Sequence, residues 1–424
     1  MDVQNSEIRI GDKMMRKKSI FVGFMIISLL VSPMAIAPAS ATDWPMFQND
    51  LNHTGYLNET SDFNQETWIF QAQGILTSPV ISDKLLYFGS LSGLFYALNL
   101  DDGTKVWDYK TDGNITASPV ISGDNVYFGS GDSYLYTLNK KTGDEVWKYK
   151  TGNAIGTTPA IDNGIIYFGS DDQRLYALNA NDSTMKWEFQ TGNAVRSSPT
   201  VTNDTVFFGS DDGKIYAVDI NNGSQIWEYN TGSAVRTSAA INNDTLFMGT
   251  DNGMFYALNT ADGSIKWSYN FNDTVRSSTL LDPDDNSLFV GSNNGNITAL
   301  DMRDGTLKWT FNTGNVKSTP ALMRDNIVVT SDSGTVYVLN KFSGKEDWSY
   351  MPGYYLFNSP LSSPIVYGDD ILVGDNNGNM YSLDFSKKAG PTSVYVYYVA
   401  AIAIIIIGGL IVLRVLRRRK KGNE

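Results

Sequence analysis

The chain has 424 residues, no cysteine, a single histidine (His53) and a net charge of −12. Lack of thiols excludes disulfides and thiolate metal sites, and one histidine excludes most zinc chemistry, Cys–His nucleophiles and histidine general bases. Basic ends hide a more acidic body: residues 42–413 hold 22 basic and 41 acidic groups, net −19, which argues against nucleic acid or an anionic bilayer surface as a partner.

Residues 1–41 read as a signal peptide region. Arg16-Lys17-Lys18 is the charged start, residues 20–31 are the apolar centre, and Ala39-Ser40-Ala41 is a small-residue cleavage site. An uncleaved anchor is the alternative, but the apolar run is short and Pro33 and Pro38 interrupt it. Residues 1–13 fit no signal, which points to translation starting at Met14 or Met15. Residues 42–66 form a predicted N-terminal strap, with Trp44, Met46 and Phe47 packing on the domain that follows. The other reading is a ligand-contacting cap that carries His53.

From residue 67 to 386 one unit repeats. Its clearest copy, residues 191–229, holds four strand-forming runs at 197–201, 205–210, 214–219 and 225–230. Asp212-Gly213 and Asn222-Gly223 supply the positive-φ positions of tight turns between runs. The second run ends in Gly-Ser or a near relative eight times, from Gly89-Ser90 to Gly374-Asp375. The fourth run carries a tryptophan seven times: Trp107, Trp147, Trp187, Trp227, Trp267, Trp309 and Trp348, spaced 39 to 42 residues apart. The eighth copy lacks its fourth run, while Trp68-Ile69-Phe70-Gln71 precedes the first copy with no strands of its own. A period near 40 with four strands per unit predicts an all-β, eight-bladed β-propeller of four-stranded blades, closed by the N-terminal strand. Closure removes the bare edge and sheet face that an open array would leave.

The units share Ser-Pro, Tyr-Phe-Gly-Ser, Leu-Tyr-Ala-Leu-Asn and Thr-Gly-x-x-x-Trp, the last cleanly from Thr142 to Trp147. Neither the WD nor the kelch signature is present. On these motifs the repeats resemble the PQQ-like (quinoprotein) family, across nearly all of residues 67–386. That family holds quinone-dependent dehydrogenases and non-catalytic scaffolds such as the outer-membrane assembly lipoprotein. The dehydrogenase side implies pyrroloquinoline quinone (PQQ) over a tryptophan, usually under an adjacent-cysteine disulfide, with calcium held by Glu, Asn and Asp and a further Asp as base. This chain has no cysteine, and no such metal triad can be placed, so no catalytic residue carries over and no cofactor is expected. PQQ or calcium remains the alternative.

Three residues before the Ser-Pro proline, at the start of each innermost strand, stand Leu76, Thr116, Gly156, Arg196, Arg236, Arg276, Lys317 and Leu361. Four consecutive units are therefore basic where inner strands line a central channel. One reading is an anion-binding arc of Arg196, Arg236, Arg276 and Lys317. The other has these groups pairing with Asp or Glu of the adjacent unit. Asp-rich turns such as Asp211-Asp212-Gly213 offer oxygen ligands for calcium, but match no EF-hand loop and are expected in turns anyway. Nine sequons mark glycosylation candidates: Asn52, Asn58, Asn114, Asn181, Asn203, Asn222, Asn243, Asn272 and Asn296. In the eighth unit, Tyr354, Tyr355 and Phe357 form either a protruding contact patch or a seal for the closure seam.

Residues 387–393 are a polar linker. Residues 394–413 are twenty uncharged, mostly apolar residues, about 30 Å as a helix, which predicts a transmembrane span. The basic tail, 414–424, puts the C-terminus in the cytoplasm and the propeller outside the cell membrane. The sequence thus predicts a single-pass, surface-displayed scaffold that binds envelope or surface proteins, or glycans, and no nucleic acid. The alternatives are a PQQ- or metal-dependent oxidoreductase using the channel mouth, and a small-anion binding or sensing protein.

Overall fold

The computed structural model describes residues 68–352 and 362–385. They form eight antiparallel four-stranded sheets. Seven blades follow chain order, with inner strands Val80–Ser82, Val120–Ser122, Ala160–Asp162, Thr200–Val201, Ala240–Asn242, Leu280–Asp282 and Ala321–Met323. The eighth combines Ile365–Tyr367, Asp370–Gly374 and Asn379–Asp384 with the N-terminal strand Ile69–Gln71. Ile69 pairs with Tyr381, Phe70 with Met380 and Gln71 with Asn379, so the expected closure is present. The one helix among the described residues is a single turn, Pro283–Asp285. The predicted segments 1–41, 42–66, 387–393, 394–413 and 414–424 lie outside the described residues, as does the loop with Tyr354, Tyr355 and Phe357.

Blade 4 shows how the repeat encodes its strands. The second, third and outer strands, Thr205–Gly209, Lys214–Asp219 and Gln225–Asn230, fall where the sequence puts them. The inner strand is shorter than the predicted 197–201, only Thr200–Val201. Pro199 has no N–H to give a ladder, and the two serines before it are used elsewhere. Ser197 Oγ donates to Thr237 O of blade 5 at 2.8 Å, and Ser198 Oγ accepts from Thr158 N of blade 3 at 3.0 Å.

The core lies between blades. Phe95 of blade 1 stacks on Phe128 of blade 2 with ring centroids 4.1 Å apart. Each outer-strand tryptophan reaches forward to the next blade. Trp187 Nε1 donates to Ile220 O at 2.9 Å, and its ring covers Gly223, whose φ of +70° and lack of a side chain admit the indole. Trp68 closes the ring in the same way, donating to Leu100 O of blade 1 at 2.9 Å over Gly103.

Candidate functional site at the channel mouth

Two kinds of loop meet at one end of the channel. The connection from an outer strand to the next inner strand is bonded to the turn between second and third strands, as in Asp211 N to Ala194 O, 2.9 Å, and Val235 N to Ser210 O, 3.1 Å. These contacts fix the start of each inner strand against the Gly-Ser turn of its own blade and of the blade before.

A cavity of about 300 Å³ opens here, and every blade contributes a hydroxyl residue from the same position of its repeat to the wall: Ser78, Ser118, Thr158, Ser198, Ser238, Ser278, Thr319 and Ser363. These are the residues before the Ser-Pro proline or its replacement. Several are linked blade to blade by the same bond. Thr158 N donates to Ser198 Oγ, Ser238 N to Ser278 Oγ, Thr319 N to Ser363 Oγ and, across the closure, Ser363 N to Ser78 Oγ, all at 2.9–3.0 Å. The hydroxyl oxygen accepts in each of these bonds, which leaves its proton to donate elsewhere.

Beside this ring the four predicted cations do not stand free. Arg196 grips Asp171 of blade 3 through Nε and Nη2 (2.8 and 3.0 Å) and reaches Asp211 of blade 4 through Nη1 (3.0 Å). Arg236 repeats the geometry one blade on, with Nε and Nη2 on Asp211 (2.7 and 3.0 Å) and Nη1 on Asp251 of blade 5 (3.1 Å). Arg276 holds Asp251 through Nε and Nη2 (both 3.2 Å), and Lys317 holds Asp332 at 2.6 Å. The result is a ladder of alternating charge over consecutive blades, built from forked guanidinium–carboxylate pairs. The side chain of Asp211 is only 8% exposed, while Arg196 and Arg236 are 46% and 29% exposed. Hydrogen bonding to Asp171 and Asp211 holds the Arg196 and Arg236 guanidinium groups above their usual range. Of the two readings of the basic arc, pairing with the adjacent unit describes Arg196, Arg236 and Arg276, while Lys317 pairs with Asp332 of its own blade.

Sequence reasoning missed both the acids of this ladder and the hydroxyl ring. The signal was present as spacing, since each bidentate pair joins residues 25 apart, an Asp after Gly-Ser or Gly-Thr and the Arg that follows. In the turns of blades 3 and 4 the second Asp, Asp172 or Asp212, caps its own turn and ties it to the connection that enters the same blade. Asp212 accepts from Tyr216 Oη at 2.7 Å, Gly192 N at 2.8 Å and Lys214 N at 3.0 Å.

The donor set does not fit a quinone–calcium pair. Among the described residues, no three His, Cys, Asp or Glu side chains are grouped to hold a metal. Among the described residues no tryptophan lines the cavity, and its wall is hydroxyl-rich. Of the sequons, Asn114, Asn181, Asn203, Asn222, Asn243 and Asn272 are exposed and Asn296 is half-buried; Asn52 and Asn58 lie outside the described residues.

The sequence model described as outer membrane protein assembly factor BamB matches residues 59–157, 96–243, 141–281 and 281–389. The chain belongs to this PQQ-like, BamB-type repeat family. No curated protein matches the sequence. Among solved structures, BamB from Moraxella catarrhalis is similar at 16% identity, covering 75% of this chain and 98% of its own, with a TM-score of 0.64. Quinohemoprotein alcohol dehydrogenase from Comamonas testosteroni is similar at 13% identity, covering 82% and 81%, with a TM-score of 0.69. The computationally designed Ika8 protein is similar at 16% identity, covering 76% and 100%, with a TM-score of 0.68. At these identities the likeness shows the propeller fold that the BamB-type chain shares with each of them.

Proposed function

We propose that this BamB-type propeller is a non-catalytic scaffold at the outer face of a cell membrane. Residues 394–413 anchor it, the tail 414–424 faces the cytoplasm, and the channel-mouth face receives other envelope or surface proteins. The observation that carries the reading is the Arg–Asp ladder. It fastens the loops of blades 3 to 6 into a stiff, charge-balanced surface whose charges are occupied by each other. A surface of that kind suits docking, because its side chains lose little further freedom when a partner arrives. Family membership supports the same reading.

The test is site-specific photocrosslinking of the full chain in its native membrane. Crosslinkers at Asn153 and Asn193, exposed on the ladder face, should capture the same discrete protein, identified by mass spectrometry, whereas one at Asn222, in a turn on the opposite face, should not. Capture from Asn222 alone would overturn the docking face. Dye-linked oxidation of alcohols or sugars by the full chain with PQQ and calcium would overturn the non-catalytic role.

A further inference from the structure

The ladder has a break. The residue that follows Gly-Ser or its equivalent is Asp171, Asp211, Asp251, Asn293 and Asp332 in blades 3 to 7. Asn293 occupies the same backbone position as its counterparts: its N–H donates to Thr274 O at 3.0 Å, as Asp211 N–H does to Ala194 O. In blade order the array is therefore minus, plus, minus, plus, minus, plus, neutral, plus, minus. The neutral position falls between Arg276 and Lys317, where Asp211 falls between Arg196 and Arg236.

Asn293 does not substitute for the carboxylate. Its Oδ1 is buried without a hydrogen-bond partner among the described residues. Among the described residues each flanking cation has one carboxylate where Arg196 and Arg236 have two: Arg276 holds Asp251, and Lys317 holds Asp332. Both flanking cations also line the 300 Å³ cavity, which Arg196 and Arg236 do not. Their side chains are 43% and 49% exposed, so a ligand can reach them. Ser278 and Ser318 line the same side of the cavity.

We propose that the channel mouth binds a carboxylate between Arg276 and Lys317, where it completes the alternation that Asn293 interrupts. The anion accepts from Arg276 and Lys317, and the hydroxyl wall meets the rest of the ligand. A carboxylate suits the site because the neighbouring positions of the same repeat hold one in forked contact with guanidinium. A free organic acid and the side chain of an acidic segment share this chemistry. The site is independent of the scaffold role, since it could be filled by a small molecule with no partner present.

The experiment is calorimetric titration of the full chain in detergent, at low salt so that screening does not mask the charges. The probes are succinate and a capped hexaglutamate peptide, and the proteins are wild type, Asn293→Asp and Lys317→Gln. Asn293→Asp supplies the missing charge from within, so it should raise Tm by about 1–2 °C while weakening binding at least tenfold. Lys317→Gln should weaken binding without that gain in Tm. Succinate binding that follows this pattern identifies an organic-acid site, and peptide binding that follows it identifies an acidic segment. No binding of either probe to wild type overturns the proposal, as does binding that Asn293→Asp leaves unchanged.

Discussion

A Cβ built on Gly209 would stand 2.4 Å from Cγ1 of Val235, the residue just before Arg236. The same near-collision recurs at Gly169 with Val195 and at Gly249 with Val275, so the glycine of Tyr-Phe-Gly-Ser is required by the loop that lies over it. Gly209→Ala should therefore cost about 1–3 kcal/mol, read from urea denaturation, and Val235→Ala in the same chain should recover part of the loss. A loss that Val235→Ala leaves untouched would place the strain elsewhere. At Asp301, a side-chain hydrogen bond from Arg303 holds the carboxyl at about 2, with Nε–Oδ1 at 2.9 Å and Nη2–Oδ2 at 2.6 Å. Because the folded value is below the unfolded one, this stabilisation is present above about pH 4 and is lost as pH falls through 2. Arg303 is 72% exposed, so screening limits it to about 1 kcal/mol. Between pH 5 and pH 2, wild type should lose about that much more stability than Asp301→Asn; equal losses would show that the pair contributes nothing.

At the scale of elements, the strands were legible because each is bounded by Asn, Asp or Gly turns and carries residues that suit a pleated surface. The outer strand Gln225–Asn230, for example, buries Trp227 between exposed neighbours. The inner strand was misjudged in length because its serines look like strand residues, yet Ser197 and Ser198 spend their hydroxyls on bonds to other blades. The cations of the channel mouth were legible by position. Their acids were not, because Asp is expected in turns for local reasons, and only the fold separates Asp211, which bridges two arginines, from Asp212, which accepts from Lys214 N within its own turn. The closing strand makes its own prediction. Deleting residues 68–71 bares the edge of Asn379–Asp384 and removes the indole over Gly103. An uncovered edge recruits other strands, so the variant should have a lower Tm and associate with rising concentration in sedimentation. A monomer with unchanged Tm would mean that the ring does not depend on its clasp.

For the whole molecule, the acidic body and the charge-balanced ladder have different reach. The net −19 of residues 42–413 acts over distances of about a Debye length, near 8 Å in physiological salt, whereas the ladder acts at contact. A carboxylate approaching the channel mouth is thus repelled at a distance and held only on arrival, which favours selectivity over speed. Closure has a further consequence. Ser382 N donates to Trp68 O at 3.1 Å, so the first and last strands of the ring leave it side by side. Across that junction Ser363 N bonds Ser78 Oγ as Thr158 N bonds Ser198 Oγ elsewhere. The circle therefore has no distinguished origin. The gene opens it at one blade, but a circular permutant joined from Phe385 to Trp68 through a six-residue turn, the length that joins Ile220 to Trp227 in blade 4, and cut at any other turn would meet the same junctions in the same cyclic sequence.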